Sequence, residues 1–348
     1  MVKDPILKPR IEEVPEVGKA ARDLFSQSLV WDMVLPMDPS MPETDDQIAK
    51  LFGRFRGVGV TFASITAATR HNAAIAFNQI SRLRRLIDRE GSQLMFAETV
   101  DDIRKAKGQG LMALSFHFQD TLPFEENLDL VKTYFDLGVR SAGLAYNQRN
   151  YVADGCAEES NSGLSRFGVA VVREMNEVGM VVDGTHAGYR STMEAMEISE
   201  LPFIFSHSNP HAVRPHYRSI RDDQIKACAA TGGVVGINGV GFWVGDNDAS
   251  SDAIFRCLDY AVQMVGPDHV GLGFDYMGDL DAIIAWVRAA PLMWPPYEGE
   301  EMVRHNYAGP EQLYQLTELM LNAGYPHHEI RKILGENWAR LFGPLWRH

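Results

Sequence analysis

The chain has 348 residues, of which 45% are hydrophobic and 23% are charged, an ordinary composition for a soluble globular protein. The 33 basic and 46 acidic residues give a formal charge of −13, which argues against nucleic acid or a membrane surface as a partner, because both need a basic face. Three scattered cysteines argue against a disulfide framework. With no signal-peptide pattern and no segment long enough to span a membrane, we expect a cytoplasmic protein.

Strand-like and helix-like patterns alternate along the chain. Eight short apolar runs predict strands at Leu29–Leu35, Gly59–Thr66, Leu111–Phe118, Ser141–Tyr146, Met180–Thr185, Phe203–Ser206, Val234–Asn238 and Val270–Phe274. Helices are predicted between strands at Ala73–Glu90, Asn127–Leu137, Arg166–Val178, Ser191–Ile198, Asp222–Thr231 and Ser251–Val265. Short apolar strands separated by helices are typical of parallel βαβ units, and eight such units close into a barrel. We therefore predict one (β/α)8 TIM-barrel domain over residues 1–348.

Two segments lie outside the repeating units. Residues 1–27 are expected to form an N-terminal extension with a helix packed on the barrel. Residues 277–310 follow the eighth strand and are predicted to be a long loop, in which many large apolar side chains need cover. We expect this loop to lie over the barrel mouth or in a subunit contact, and we expect a homodimer.

Three polar side chains stand at the ends of predicted strands. His186 and His207 each end an apolar run, and Asp275 ends the eighth run. Barrel enzymes collect their catalytic groups at the C-terminal ends of strands. Two neutral imidazoles and one carboxylate suit Zn²⁺ with an open fourth position for water. The alternative is a pair of buried histidines with backbone partners, but two at adjacent strand ends favour a metal site.

Four motifs resemble those of the membrane dipeptidase (renal dipeptidase) family, peptidase family M19. They are Val182-Asp-Gly-Thr-His186, Ser206-His207-Ser208-Asn209 with Arg218 eleven residues after the histidine, Val270-Gly-Leu-Gly-Phe-Asp275, and Gly335-Glu-Asn-Trp338. The resemblance runs from about residue 28 to the end of the chain and implies an amidohydrolase-like (β/α)8 barrel.

The resemblance also implies a site with two zinc ions joined by a bridging glutamate. The histidines that bind one of the ions correspond to His186 and His207. The aspartate that handles the proton of the bridging water corresponds to Asp275, and the arginine that holds the substrate carboxylate corresponds to Arg218. A substrate-contacting histidine of the family falls on Tyr146, which keeps an aromatic group able to donate a hydrogen bond.

The other half of that site departs from the family pattern. The first strand reads Val30-Trp-Asp-Met-Val-Leu-Pro36 where the family has His-x-Asp before Leu-Pro, so Asp32 is the only candidate ligand left. The bridging glutamate falls on Gln119, whose neutral amide offers one weak carbonyl oxygen. Two dications about 3.5 Å apart repel each other and need the missing negative charge. We therefore expect one zinc ion per chain, or none, rather than two.

Two further residues near these positions have open interpretations. His117 precedes Gln119 by two residues, so a regular strand places both on one face, where the histidine could supply a replacement ligand or an acid/base group. The alternative, which we favour, is that His117 packs elsewhere. Asn147 directly follows Tyr146 and could bind substrate or cap the following turn.

The expected activity is zinc-dependent hydrolysis of a small amide with a free carboxylate, by resemblance a dipeptide or an N-acyl amino acid. In this hypothesis His186 and His207 hold Zn²⁺, Asp275 accepts a proton, Arg218 binds the carboxylate, and Tyr146 contacts the carbonyl oxygen. One alternative is a lyase, isomerase or dehydratase that acts on a small carboxylate with one metal ion or none. The other is a barrel that binds a ligand without catalysis.

Overall fold

A computed structural model describes residues 13–40, 43–297 and 305–346. Within these ranges the chain forms nine strands, which in order are β1 Trp31–Leu35, β2 Phe62–Ala68, β3 Leu94–Phe96, β4 Met112–Phe118, β5 Val139–Gly143, β6 Val181–Asp183, β7 Ile204–Phe205, β8 Val234–Ile237 and β9 Val270–Leu272.

Fourteen α-helices occur in the same part of the chain. They are α1 Lys19–Gln27, α2 Asp45–Val58, α3 Ala73–Ile87, α4 Val100–Gly108, α5 Asp129–Asp136, α6 Arg166–Val178, α7 Tyr189–Ile198, α8 Asp222–Ala230, α9 Gly241–Val244, α10 Ser251–Val265, α11 Leu280–Ala289, α12 Leu313–Asn322, α13 His327–Arg331 and α14 Asn337–Phe342. Several begin at a capping side chain, for example α3 at Asn72 and α10 at Ser250, each of which accepts a backbone N–H of the first turn.

Eight of the strands form a closed parallel barrel. The hydrogen-bonded order is β1, β2, β4, β5, β6, β7, β8, β9, and the barrel closes where Asp32 of β1 pairs with Leu272 of β9. The strands are buried along their length, as expected where side chains fill the interior and helices cover the outside. The predicted (β/α)8 barrel is therefore confirmed.

The short strand β3 was not predicted from the sequence. It pairs in parallel with the first half of β4, through Leu94 with Met112 and Phe96 with Leu114, whereas β5 pairs with the second half. The two strands share one edge of β4, because β2 occupies the other edge. A three-residue run carries too little periodicity to be recognised, and its pairing depends on the free half-edge of β4.

The predicted strands extend past several of the observed ends. β6 stops at Asp183 rather than Thr185, and β9 stops at Leu272 rather than Phe274. Soon after these ends the backbone turns sharply, since His186 and Asp275 have φ values of 68° and 57°. The residues that carry the predicted chemistry therefore follow the strands and do not belong to their ladders.

The two flanking segments lie against the barrel. Helix α1 packs through Phe25 on Tyr314 of α12, with ring centroids 4.1 Å apart, while residues 1–12 are outside the described ranges. The segment predicted to be a loop contains helix α11, whose buried Ile283 and Val287 have helical spacing. Its residues 298–304 are also outside the described ranges. Where the chain is described, no helix has the length and apolarity needed to cross a membrane.

Candidate active site

His186 and His207 meet at the C-terminal end of the barrel. They follow the neighbouring strands β6 and β7, which pair through Asp183 and Ile204. Their Nε2 atoms are 3.1 Å apart, and both side chains are almost completely buried. Two buried imidazole nitrogens this close together need either a proton or a metal cation between them.

The partner of His186 sets which of its nitrogens carries the proton. Asn147 Oδ1 lies 2.7 Å from His186 Nδ1, and the amide is oriented by its Nδ2, which donates to Met293 O at 3.2 Å. An amide oxygen can only accept, so Nδ1 of His186 is the protonated nitrogen. The Nε2 atom then carries a lone pair.

His207 is oriented in the same sense. Its Nδ1 lies 2.7 Å from Ser206 Oγ, and this hydroxyl donates a hydrogen bond to the carboxylate of Asp183. Because the single hydroxyl hydrogen points to Asp183, Ser206 accepts from Nδ1–H of His207. The two Nε2 lone pairs therefore face each other.

The two Nε2 atoms, each with a lone pair, are placed to bind one divalent cation. Burial first, and the Arg218 charge second, lower the pKa of both imidazoles well below the ordinary value, so both are neutral. Nitrogens bound to one tetrahedral Zn²⁺ lie about 3.3 Å apart, close to the spacing of this pair. In the described ranges no group of three His, Cys, Asp or Glu side chains is arranged for a metal ion, so the imidazoles stand as a pair.

The carboxylate of Asp275 lies beside the imidazole pair. Its Oδ2 lies 4.0 Å from His207 Nε2 and accepts a hydrogen bond from Asn238 Nδ2 at 3.2 Å. Burial raises the pKa of Asp275 to about 7, against the opposing effect of Arg218. A carboxyl group that titrates near neutral pH is suited to accept and return a proton.

The backbone is strained at three of these positions. Asn147, His186 and Asp275 have φ values of 59°, 68° and 57°, in the left-handed region. Residues with side chains pay about 1 kcal/mol or more for this conformation. Such strain after three strands of the barrel, β5, β6 and β9, indicates that side-chain placement is favoured here over local stability.

Arg218 lies beside the histidines and is almost completely buried. Its Nη1 donates to Ser208 Oγ at 3.2 Å, its Nη2 donates to His207 O at 2.9 Å, and the same Nη2 is 3.3 Å from His186 Nε2. Its Nε has no partner among the residues that the structure describes. The guanidinium therefore supports the histidine loop, and three of its five N–H donors are used in these contacts.

Asp32 and Gln119, the altered positions of the family pattern, are engaged by the barrel. Asp32 Oδ1 accepts from the backbone N–H of Val34 at 3.2 Å and of Phe274 at 3.0 Å. Gln119 Nε2 donates to Thr66 Oγ1 at 3.0 Å. Among the described residues, Asp32 belongs to no group of three His, Cys, Asp or Glu side chains that could hold a metal ion.

His117 is a satisfied histidine inside the barrel. Its Nδ1 lies 3.0 Å from Ser64 Oγ and its Nε2 lies 2.9 Å from Thr66 Oγ1. Burial lowers its pKa to about 3. Gln119 also contacts Thr66, so the two side chains share one face, and both ring nitrogens of His117 are occupied by hydroxyl groups.

A cavity with about 50 Å³ of space for the centres of water-sized molecules opens beside His186 at the barrel mouth. Tyr146, His186 and Asp275 line it, together with residues that the sequence did not single out. These are Pro36, Asp38, Thr66, Thr69, Trp243, Met277, Ile283, Trp286, Val287, Trp294 and Tyr307, with Gln119 at the end of β4. The apolar content of residues 277–310 was the only sequence signal for this lining.

Aromatic rings cover the cavity. Tyr146 stacks on His186 with centroids 4.0 Å apart, and Trp294 contacts Tyr146 edge-on at 5.7 Å. Trp294 also stacks on Trp243 at 5.8 Å and meets Trp286 at 6.2 Å. The segment that follows β9 therefore closes over the histidine pair. Asn147, in contrast, uses its amide on His186 and Met293.

The comparison with protein families agrees with this architecture. Residues 43–285 match the family described as membrane dipeptidase (Peptidase family M19). Among curated relatives, the "Uncharacterized protein in pqqA 5'region" of Klebsiella pneumoniae is 27% identical over 285 residues, 78% of this chain and 97% of that protein. An "Uncharacterized dipeptidase" of Schizosaccharomyces pombe is 30% identical over 208 residues, 58% of this chain. The matched region spans only 50% of the length of that relative.

Solved structures share the fold. An amidohydrolase from Pseudomonas aeruginosa is 28% identical with a TM-score of 0.81, and the match covers 94% of this chain and 99% of that one. A structure titled as the dipeptidase AC, a metallopeptidase of family M19, is 18% identical with a TM-score of 0.71. The match covers 92% of this chain and 99% of that one, and at this identity it supports the fold alone. By the family match over most of its length, the chain belongs to the membrane dipeptidase family, peptidase family M19.

Proposed function

We propose that the protein is a metal-dependent hydrolase of the dipeptidase type, which cleaves a small amide such as a dipeptide or an N-acyl amino acid. The observation that carries the proposal is the pair of neutral imidazoles, His186 and His207, whose Nε2 atoms face each other at 3.1 Å. Membership in the membrane dipeptidase family supports the same reaction class.

Each residue of the site has a role in this proposal. His186 and His207 hold one Zn²⁺, which when bound supplies a Lewis acid that polarises the amide carbonyl. Asp275 accepts the proton of the attacking water and returns it to the leaving amine. Arg218 attracts the substrate carboxylate through its positive charge.

Tyr146 is the proposed donor to the carbonyl oxygen as negative charge develops. Burial, with Asp275 as the next cause, raises the pKa of Tyr146 well above its ordinary value, so the phenol stays protonated. Its stacking on His186 keeps it next to the proposed metal position. Trp294 covers these groups and excludes bulk water, which strengthens their electrostatic interactions.

The test combines metal content with turnover. Protein purified without chelator is expected to contain about one zinc ion per chain and to cleave members of a panel of dipeptides and N-acyl amino acids. Asp275→Asn is expected to lower kcat about 10²- to 10⁴-fold while the metal content stays the same. A zinc-loaded protein that cleaves no member of a broad panel would refute the proposal.

A second candidate is a lyase, isomerase or dehydratase that acts on a small carboxylate. It is favoured by the hydrogen bonds of Asp32 Oδ1 and Gln119 Nε2 within the barrel, because side chains held in this way are less available to a second ion. Turnover of such a substrate without amide cleavage would identify it. A ligand affinity that zinc does not change, with no turnover, would indicate a non-catalytic barrel.

A further inference from the structure

The chemical groups of the candidate active site are buried beneath a covering side chain. His186, Tyr146 and Arg218 are each at most 6% exposed. Trp294 lies over them, with its ring centroid 6.0 Å from that of His186 and 5.7 Å from that of Tyr146. Exchange of a substrate-sized ligand between the site and solvent therefore requires movement of the residues that cover it.

The cover is formed by residues 277–297, which we call the cover segment. It contains α11 and the turn that carries Trp294. Ile283, Val287 and Trp294 on its underside are buried, whereas Leu292 on its outer side is 81% exposed. The cover segment is thus a single layer of chain, with the cavity on one side and solvent on the other.

Helix α11 is weakly attached to the rest of the fold. Among the described helices of eight or more residues, it alone packs closely on no other helix or strand. Elements with few contacts to the remainder of a protein open at a lower free energy than the elements of its core. We therefore expect α11 to move without unfolding of the barrel.

The chain on either side of the cover segment is held firmly. The hydroxyl of Tyr276, directly before it, accepts a hydrogen bond from Arg54 Nη1. Arg54 also forms a bidentate ion pair with Glu311, with Nε–Oε1 and Nη2–Oε2 distances of 2.7 and 2.8 Å. Asn306 O accepts from the backbone N–H of Gly241 at 2.8 Å. These contacts fix the flanking chain, so motion of the cover segment need not disturb the strands.

Two side chains from the barrel hold the cover segment by its backbone carbonyl groups. Asn147 Nδ2 donates to Met293 O at 3.2 Å, and Tyr217 OH donates to Pro295 O at 3.2 Å. Burial raises the pKa of Tyr217 above its ordinary value, so the phenol keeps the hydrogen that it donates. Met293 and Pro295 flank Trp294 in the chain, and the two bonds therefore hold its ring over the site.

We propose that the cover segment is a lid that opens to let ligands exchange with the site, and that Tyr217 is the latch that holds it closed. On opening, Pro295 O leaves the phenol and accepts from water, while the hydrogen bonds of the barrel strands stay intact. The inference goes beyond the proposed function, because it concerns access to the site and applies to any ligand that binds there.

Thiol labelling measures how often the lid opens. Val287→Cys places a thiol on the underside of the lid, and Val262→Cys is the matched control, since Val262 has similar burial on α10. The purified full-length variants are treated with excess iodoacetamide, and peptide mass spectrometry separates the introduced site from Cys156, Cys228 and Cys257. We expect position 287 to label at least about tenfold faster than position 262, because lid opening exposes it without unfolding.

A second position on the lid repeats the measurement. Ile283→Cys lies one turn earlier on the same buried face of α11 and is expected to label as Val287→Cys does. Labelling at both lid positions no faster than at position 262 would overturn the proposal, because the underside of the cover segment would then be exposed only when the whole barrel unfolds.

Tyr217→Phe tests the latch in the same labelled variants. It removes one hydrogen bond to the lid and keeps the ring, so labelling at position 287 is expected to rise about 2- to 10-fold while labelling at position 262 stays unchanged. The matched control is Tyr314→Phe, which removes the same kind of bond, from a phenol to Val58 O at 3.0 Å, away from the lid. Equal effects of Tyr217→Phe at positions 287 and 262, or of the two tyrosine variants at position 287, would refute the role of Tyr217.

Labelling and turnover separate this inference from the proposed function. A protein that labels as expected but cleaves no amide refutes the hydrolase proposal and retains the lid. A protein that cleaves amides but labels equally at the lid and control positions retains the hydrolase proposal and refutes the lid.

Discussion

Three buried histidines differ in what their hydrogen-bond partners leave available. Both ring nitrogens of His117 are occupied by the hydroxyl groups of Ser64 and Thr66. His186 and His207 each place Nδ1 on an oriented acceptor and direct Nε2 toward the other, with Arg218 Nη2 3.3 Å from His186 Nε2. The residue type and the degree of burial are the same, so the partners decide which histidines can bind an ion.

Ser206→Ala tests the role of these partners. Without the hydroxyl, Nδ1 of His207 has no acceptor and the required tautomer is no longer fixed, so zinc affinity is expected to fall about 10- to 100-fold. Competition with a chromophoric chelator measures this change. Ser199→Ala is the matched control, since that hydroxyl donates to Leu201 O far from the site. Unchanged affinity in Ser206→Ala would refute this role.

The buried His305 makes the free energy of unfolding depend on pH. Burial lowers its pKa to about 3 from an ordinary value of 6.5, and neither ring nitrogen has a partner in the part of the chain that is described. Below pH 6.5 the unfolded chain binds a proton at this residue and the folded chain does not. The free energy of unfolding therefore falls as the pH drops from about 6.5 toward 3.

His305→Phe should remove this loss. Relative to the wild type, the variant is expected to gain about 2 kcal/mol of stability between pH 7.5 and pH 5, because proton uptake on unfolding is lost at one site. It should also be more stable at pH 7.5, since it removes two buried nitrogens that have no partner among the described residues. Urea unfolding at the two pH values measures both effects. Parallel pH profiles of the two proteins would contradict the assignment.

At the scale of elements, strand ends and the segment after β9 create the site. The strands stop before the functional residues, and left-handed turns follow at His186 and Asp275. The segment after β9 then places Trp286 of α11 and Trp294 over the mouth. The barrel thus holds the histidines and Asp275 in place, and the segment after β9 covers them. The sequence of such a connecting segment can change without altering the barrel.

The packing of β3 beside β5 depends on Gly138. This glycine has φ 101°, and a Cβ at its position would lie 2.2 Å from Phe96 of β3. Gly138→Ala is expected to lower the free energy of unfolding by about 2 to 4 kcal/mol, because backbone strain and overlap add. Urea unfolding measures the change.

Gly110→Ala is the matched control for Gly138→Ala. Gly110 also has a left-handed φ of 70°, but a Cβ there would meet no heavy atom within 4 Å. We expect a loss of about 1 kcal/mol from the backbone alone. Equal losses in the two variants would mean that the contact with Phe96 contributes nothing.

At the scale of the whole molecule, metal binding and stability are coupled. With one zinc site, each tenfold rise in free zinc above the Kd should raise the free energy of unfolding by about 1.4 kcal/mol. Urea unfolding in zinc buffers measures this slope, and the double variant His186→Ala/His207→Ala should show none. A slope near twice this value would indicate two ions and would contradict our assignment of Asp32 and Gln119.

The sequence by itself determined the barrel and the positions of its strand-end residues. Apolar runs between helical patterns specify parallel units, and His186, His207 and Asp275 follow such runs directly, so their arrival at one end of the barrel could be predicted. Cytoplasmic location and dimerisation stay predictions.

Only the tertiary structure decided what surrounds these residues. The lone pairs of the histidines depend on partners such as Asn147, which comes from a different strand end. The engagement of Asp32 by Phe274 N–H exists only because β1 closes on β9, 242 residues away along the chain. The cavity likewise joins Asp38 to Trp294. Contacts between remote segments are set by closure of the barrel, and no local sequence pattern encodes them.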